Sequence, residues 1–148
     1  MMRRTLETLV FVSLLVACAG PSPTPSPPVS ILRIALLLPT ENLSVGEMAS
    51  AAQQGALLAI GQRNSAGGVL DLPIKAVSFD SKCTPEGGRR AISEAQEQNL
   101  TFIVGGLCAD EAVVISEEIA PEKNVFLSLN AHPRVATDDS GKHKQGVY

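Results

Sequence analysis

The sequence predicts an α/β domain built on a parallel sheet with helices on both faces. Short apolar runs alternate with longer helical segments along the chain, and the connections between them are short. The composition, 45% hydrophobic and 18% charged over 148 residues, is that of one globular domain. Together the order and the composition favour strands that run in the same direction and are joined by helices.

Four apolar runs predict the strands. The first is apolar almost without interruption, which is typical of a strand buried on both faces. The second partly alternates apolar and polar residues, as a strand near the edge of a sheet does. The usual winding of such a fold places the first strand between the second and the third. The four runs are residues 31–39, 72–80, 100–104 and 124–129.

The first predicted helix covers residues 47–68. It is rich in Ala, Leu and Gln and closes with a pair of glycines, which is a stop signal. Ser44 and Glu47 have the spacing of a capping box at its start.

Two further helices follow. Thr84 is the expected N-cap of the second helix, since Pro85 suits the first helical position. The third begins after Cys108, with Asp110 as the expected cap and Pro121 as a stop.

The end of the sequence is polar and rich in turn residues, and its last three residues, 146–148, predict the start of another strand. A domain rarely stops at such a point. We therefore expect residues 31–148 to be an incomplete domain, a fragment of a longer protein.

The N-terminal segment has the pattern of a bacterial lipoprotein signal. Residues 1–17 combine two arginines with a short apolar stretch that ends in Leu-Val-Ala, and Cys18 follows at once. Cleavage before Cys18 would leave a cysteine that carries a lipid, and the Pro/Ser-rich residues up to 30 would form an extended tether. An ordinary signal peptide that contains a cysteine is the alternative. Either interpretation predicts an extracytoplasmic domain, and the lipid adds an anchor to the membrane.

Two cysteines remain, Cys83 and Cys108. A disulfide is the expected state in an oxidising compartment, because both follow strands that end at the same edge of the sheet. Three alternatives remain open: a pair of free buried thiols, a zinc site, and a catalytic pair of Cys108 with His132. Zinc is disfavoured because the ligands lack compact spacing.

Several classes of function are disfavoured by what the sequence lacks. It contains no G-x-G-x-x-G fingerprint, no P-loop and no G-x-S-x-G elbow, so we expect no nucleotide cofactor and no enzyme activity. A net charge of −3, 3% aromatic residues and the absence of a basic stripe argue against nucleic acid as a partner. In a parallel sheet ligands bind at the carboxyl ends of the strands, which are residues 39–44, 80–83, 105–110 and 130–134.

Three segments carry a resemblance to a known family. They read "GALLAIGQRNSAGG" (55–68), "DSKCTP" (80–85) and "IVGGLCA" (103–109). With them, residues 31–148 resemble the N-terminal lobe of type I periplasmic solute-binding proteins, and most closely the branched-chain amino acid receptors of ABC importers. The resemblance implies a ligand cleft between two lobes and a disulfide between the two cysteines.

The resemblance also implies which residues bind the ligand. In the family the first lobe holds the α-carboxylate and α-amino groups of an amino acid. The matching positions are Ala109, Asn130 and His132, with Asp110 and Ala131 beside them.

This sequence departs from the family pattern at those positions. Ala109 replaces a serine, His132 a threonine and Leu129 a proline. Asp110 adds a negative charge where a ligand carboxylate would lie, unless it only caps the helix and points away. A neutral or cationic polar ligand, such as an amide or a polyamine, is therefore a hypothesis beside an amino acid.

The function predicted from the sequence is that of a lipid-anchored solute receptor which delivers a small polar ligand to the permease of an ABC importer. A lobe that senses ligand for a signalling receptor is the alternative in the same fold. An extracytoplasmic enzyme that uses Cys108 and His132 is the alternative from another class.

Overall fold

The structure, a computed structural model, describes residues 30–119 and 123–148. The predicted signal peptide, Cys18, nearly all of the tether and Pro121 lie outside the described residues. No helix in the described part of the chain is long and apolar enough to cross a membrane.

Strands and helices alternate along the chain as predicted, with ends that agree to within a few residues. A short helix after the last strand, in the segment predicted to be turn-rich, was not predicted. The elements are β1 Leu32–Leu38, α1 Gly46–Ser65, β2 Ile74–Asp80, α2 Pro85–Glu97, β3 Phe102–Gly105, α3 Ala109–Glu118, β4 Val125–Ser128 and α4 Pro133–Ala136.

The four strands form one parallel sheet in the order β2-β1-β3-β4. Leu36 of β1 is in register with Ser78 of β2 and with Val104 of β3, which in turn is in register with Leu127 of β4. The predicted α/β class and the central place of β1 are confirmed. Because the strands are parallel, all of their carboxyl ends lie at one edge of the sheet.

Helices cover both faces of the sheet, as predicted. Side chains alternate along a strand, so Ala35 and Leu37 of β1 enter one core and Leu36 and Leu38 enter the other. The first core lies under α2 and α3 and contains Phe126, and the second lies under α1. Burial of β1 on both faces agrees with its continuous apolar sequence.

Capping was predicted well for one helix and wrongly for another. Thr84 caps α2, and its Oγ1 accepts the N–H of Gly87 at 3.0 Å. The expected capping box at Ser44 is wrong, because α1 begins after Val45 without a side-chain cap. Instead Asn42 Oδ1 accepts the N–H groups of Ser44 at 2.9 Å and Val45 at 3.2 Å, so an Asx turn shapes the entry to the helix.

The end of the chain adds to the sheet beside β4. Val147 pairs with Phe126 in a parallel bridge, and the N–H of Ser128 donates to the carbonyl of Tyr148 at 2.8 Å. The predicted start of another strand is thus represented by one bridge at Val147, whereas Gly146 lies in a turn with a φ of 76°. Val147 is buried and completes the core beside Phe126.

Gly106 follows the last residue of β3, Gly105, and allows the chain to turn into α3. Gly106 has a φ of 69°, and a Cβ at this position would lie 2.9 Å from Ala112 Cβ and 3.0 Å from Phe126 Cζ. Gly141 has a similar φ of 77° but nothing within 4 Å of such a Cβ. A comparison of alanine substitutions at Gly106 and Gly141 therefore separates the cost of backbone strain from the cost of close packing.

We expect Gly106→Ala to lower the free energy of unfolding by about 1–3 kcal/mol more than Gly141→Ala, since only the first overpacks the core. Denaturant unfolding followed by circular dichroism measures both. Equal losses in the two variants would contradict the close approach at Gly106.

Candidate ligand-binding site

The disulfide between Cys83 and Cys108 joins two loops at the carboxyl edge of the sheet. Its Cα atoms are 5.3 Å apart, and it links the loop after β2 to the start of α3. Because β1 lies between β2 and β3, the bridge passes over the end of β1. The predicted disulfide is confirmed, and a thiol held in it is neither a nucleophile nor a zinc ligand.

The first turn of α3 is capped by Glu111. Cys108 is the N-cap residue, and its N–H donates to Glu111 Oε1 at 3.1 Å. The prediction that Asp110 caps this helix is therefore wrong. A carboxylate at the third helical position reaches back to the N-cap in a capping box, and Asp110 is one position too early. Asp110 is exposed instead.

Glu111 lies buried among the turns that the disulfide joins. Its side chain is fully buried, and its second carboxylate oxygen has no hydrogen-bond partner in the described chain. A Cβ at Gly88 of α2 would lie 3.3 Å from Glu111 Cβ, so the first turns of α2 and α3 approach closely here. Burial raises the pKa of the Glu111 carboxyl, and the N–H of Cys108 partly opposes this by favouring the charged form.

The loop after β4 is tied to the loop after β3 by Asn130. Its Nδ2 donates to the carbonyl of Leu107 at 3.0 Å, and its Oδ1 accepts the N–H of His132 at 2.9 Å. Asn130, predicted to contact ligand, thus lies beside the start of α3, where its side chain organises the loops. Its contact with a ligand stays a prediction.

His132 and Ala131 are exposed on the same loop. His132 is the N-cap of α4, where its Nδ1 accepts the N–H of Arg134 at 3.3 Å. In the neutral ring the proton then sits on Nε2, which is left as a hydrogen-bond donor. The loop therefore offers a donor at its surface.

Two shallow cavities lie at this edge of the sheet. One, of about 340 Å³, is lined by the loop after β4 and by the end of the chain, and includes Asn130, Ala131 and His132. The other, also of about 340 Å³, is lined by residues 41–44 and Lys82. Ala109 and Asp110 line neither cavity, so the structure brings the predicted residues to one edge but not into one pocket.

The sequence analysis did not predict that residues 41–44 and Lys82 line one cavity. Asn42 holds its two loops together, since Asn42 Nδ2 donates to the carbonyl of Lys82 at 3.2 Å. The signal available in the sequence was that both loops follow strands, which placed residues 39–44 and 80–83 at the carboxyl edge. Within the described chain no three His, Cys, Asp or Glu side chains group to hold a metal ion.

Comparison by sequence finds no matching family model and no matching curated protein. Comparison by structure finds an amino acid ABC transporter substrate-binding protein from Pseudomonas fluorescens, with a TM-score of 0.64 and 17% identity. The branched-chain amino acid transporter substrate-binding protein LivJ from Streptococcus pneumoniae, in complex with isoleucine, has a TM-score of 0.62 and 20% identity. The chain has the type I periplasmic binding protein fold. This confirms the fold that the sequence resemblance implies.

The type I fold is present here only in part. The matches cover 74% and 76% of this chain but 29% and 31% of the two substrate-binding proteins. Full-length LpoA from Haemophilus influenzae, with a TM-score of 0.50 and 21% identity, matches 82% of this chain and 19% of its own. At such identities the likeness shows the fold, and the function has to be argued from the site.

Burial of Glu111 raises the pKa of its carboxyl and so predicts that the stability of this fold depends on pH. A carboxyl whose pKa is raised by folding binds its proton more tightly in the folded chain, so its contribution to stability is complete below the unfolded value of about 4.5 and is lost as the pH rises through the folded value. Glu111→Gln keeps an acceptor for the N–H of Cys108 but removes the titration. We expect the free energy of unfolding of this variant, relative to wild type, to increase as the pH rises from 4.5 toward neutrality.

The measurement is denaturant unfolding of both proteins at a series of pH values, with exposed Glu97→Gln on α2 as the matched control. If the difference between wild type and Glu111→Gln does not change with pH, or changes as in the control, burial does not govern this carboxyl.

Proposed function

We propose that this chain is the first lobe of an extracytoplasmic solute receptor, which binds a small polar ligand and delivers it to an ABC importer. The observation that carries the proposal is the hydrogen bond from Asn130 to Leu107, which joins the loops after β4 and β3. It brings the start of α3 and the surface of residues 130–132 together at the edge where parallel sheets bind ligands. Solved structures with the same fold are named as amino acid transport receptors.

The chemistry of this edge favours a ligand with a neutral amide or a positive charge. The N-terminus of a helix attracts an anion, but the first turn of α3 contains Asp110 and Glu111. Asp110 is exposed and does not serve as the cap, so its charge faces solvent where a ligand carboxylate would lie. His132 Nε2, the donor on the facing loop, suits the carbonyl of an amide. An amino acid or an amide-like compound is the proposed ligand class, with Ala109 and Ala131 supplying backbone contacts.

The location and the partners are also proposed. Cys18, at the end of the apolar segment, supports a lipid anchor that holds the lobe outside the cytoplasm, and the tether up to residue 30 supports reach toward a permease. The lipoprotein pattern that ends at Cys18 favours a transport receptor, because a signalling receptor is more often anchored by a membrane-spanning helix than by a lipid. An enzyme is disfavoured because the disulfide consumes the Cys108 thiol.

Binding by the full chain tests the proposal. We expect at least one member of a panel of amino acids, primary amides and polyamines to raise the melting temperature, with weak affinity because one lobe supplies only part of the contacts. Asp110→Asn should strengthen the binding of carboxylate ligands about two- to fivefold, which corresponds to the ~0.3–1 kcal/mol of a charge at a helix terminus.

Thermal-shift titrations at low ionic strength measure these effects, and exposed Asp139→Asn, in the loop after α4, is the control of equal charge. If no compound in the panel raises the melting temperature, the receptor proposal is contradicted. Equal effects of the two Asp variants would remove Asp110 from the ligand site while leaving the receptor proposal standing.

A further inference from the structure

The predicted tether joins the domain at the amino edge of the sheet, where the strands begin, opposite to the candidate ligand site. Ser30 lies just before β1, and the N–H of Leu32 donates to the carbonyl of Pro73 at 2.9 Å. The start of β1 therefore lies beside the turn that joins α1 to β2. This corner is at β2, the end of the sheet opposite to β4. A lipid on Cys18, as predicted, would hold this corner near the membrane.

Leu70 lies at the tip of the turn between α1 and β2, in a conformation that leucine disfavours. Val69 and Leu72 close the turn with two backbone hydrogen bonds of 2.9 Å. Leu70 has a φ of 52° and Asp71 a φ of 62°, as in a type I′ turn. Such turns are built mainly from Gly, Asn and Asp, and a bulky residue in them is strained. Because this strained turn presents a leucine that is 87% exposed, it points to a contact made by that side chain.

Two cations lie side by side where β1 and β2 begin. Arg33 of β1 is in register with Lys75 of β2, so both side chains project from the same face of the sheet, where they repel each other. Arg33 donates to the backbone carbonyl of Gln98 at 3.3 Å and to its side-chain oxygen at 2.9 Å, which are neutral acceptors. Among the described residues neither cation forms an ion pair with a carboxylate. An anion that reaches both cations would relieve the repulsion.

The balance of charge at this corner differs in sign from that of the whole chain. Arg63, in the last turn of α1, is a third cation beside the pair on the strands. Asp71 lies in the turn and Glu97 ends α2, so three cations and two acids leave one positive charge. The net charge of the whole chain is −3. The positive charge is accompanied by exposed apolar side chains, since Ile31, before β1, is 47% exposed and Leu70 lies in the adjoining turn.

We propose that this corner, which consists of Ile31, Arg33, Leu70 and Lys75 and is called the anchor corner below, docks on an anionic phospholipid surface. Leu70 and Ile31 enter the boundary between headgroups and acyl chains, and Arg33 and Lys75 bind lipid phosphates. Exposed apolar side chains next to unpaired cations suit a lipid surface, which offers both an apolar layer and negative charge. A free anion would use the cations alone and would leave Leu70 without a contact.

The predicted tether makes a weak contact sufficient. Residues 19–30, if extended like polyproline, span about 35 Å and keep the anchor corner within that distance of a lipid on Cys18. Over so short a tether the effective concentration of the membrane surface is on the order of millimolar. Docking of the amino edge also turns the carboxyl edge, with the candidate ligand site, away from the membrane and toward the aqueous phase that contains the solute.

Tryptophan probes test the docking, because the chain contains no tryptophan. Leu70→Trp places a fluorophore at the anchor corner, and Leu43→Trp replaces a fully exposed leucine in the loop after β1, at the opposite edge of the sheet. The full chain is mixed with vesicles of phosphatidylcholine, with or without phosphatidylglycerol, in which part of the lipid carries brominated acyl chains. On vesicles with phosphatidylglycerol we expect the emission of Leu70→Trp to shift to shorter wavelength and to be quenched. The emission of Leu43→Trp should stay unchanged.

Charge variants in the Leu70→Trp background test the role of the cations. Lys75→Gln should lower the ratio of docked to undocked chain, read from the quenching, about fivefold, which is the contribution of one cation near an anionic surface. Added salt should lower the ratio too, because it screens exposed charges. Lys82→Gln, at an exposed lysine in the loop after β2 at the carboxyl edge, is the matched control and should leave the ratio unchanged.

Several outcomes would overturn the proposal. Quenching of neither probe, or equal quenching of both, excludes docking through the anchor corner. Quenching of Leu70→Trp that is as strong without phosphatidylglycerol contradicts the anionic surface. If inorganic phosphate at constant ionic strength removes the quenching, the cations bind a free anion instead. Circular dichroism confirms the fold of each variant, and Ile31→Trp is a second probe of the same corner. Ligand binding is not measured in this experiment, so its failure leaves the receptor proposal standing.

Discussion

The carboxyl edge of this fold depends on one junction, where the Cys83–Cys108 disulfide passes over the end of β1 and the buried side chain of Glu111 lies among the turns it joins. The bridge encloses a sequence separation of 25 residues, which contributes about 3 kcal/mol in the chain-entropy description. Glu111 holds the N–H of Cys108, so the bridge and the first turn of α3 are positioned together. The loops of the candidate ligand site are attached to this junction.

Hydrogen bonds between loops fix the loops that lie next to this junction. Asn130 fastens the loop after β4 to Leu107, next to the bridged Cys108, and Asn42 fastens the loop after β1 to Lys82, next to the bridged Cys83. Each asparagine uses its side chain to join backbone that is distant in sequence. The four short loops are thereby held together as one surface. The groups that remain available to a ligand are mainly backbone groups and the side chains of His132 and Asp110.

Features that depend on local sequence could be predicted, and features that depend on packing could not. The strands follow from apolar runs, and Thr84 with Pro85 marks a helix start on its own. At α3 the sequence offers two acids in the first turn, and only the burial of Glu111 against Ser81 and Gly88 decides that it, not Asp110, caps the helix. The disulfide was predictable because an oxidising compartment favours a bridge and because both cysteines follow strands that end at the same edge of the sheet.

The sequence predicts the candidate site as an edge of the sheet rather than as a pocket. Sequence order places residues 109–110 and 130–132 at the ends of adjacent strands, and the structure agrees. Which of them share a cavity depends on loop conformation, which no spacing encodes. The same limit applies to the exposed apolar residues of β3 and β4, because apolar strand residues look alike in sequence whether or not a helix covers them.

The most direct test of the proposed ligand site is the position of ligand-induced changes in a ¹H–¹⁵N spectrum of the full chain, titrated with amino acids and primary amides. Shifts are expected to concentrate at the amides of Ala109, Asp110, Ala131 and His132, with little change on α2. Shifts confined to other surfaces, or none with any compound, would contradict the assignment of this edge as the ligand site.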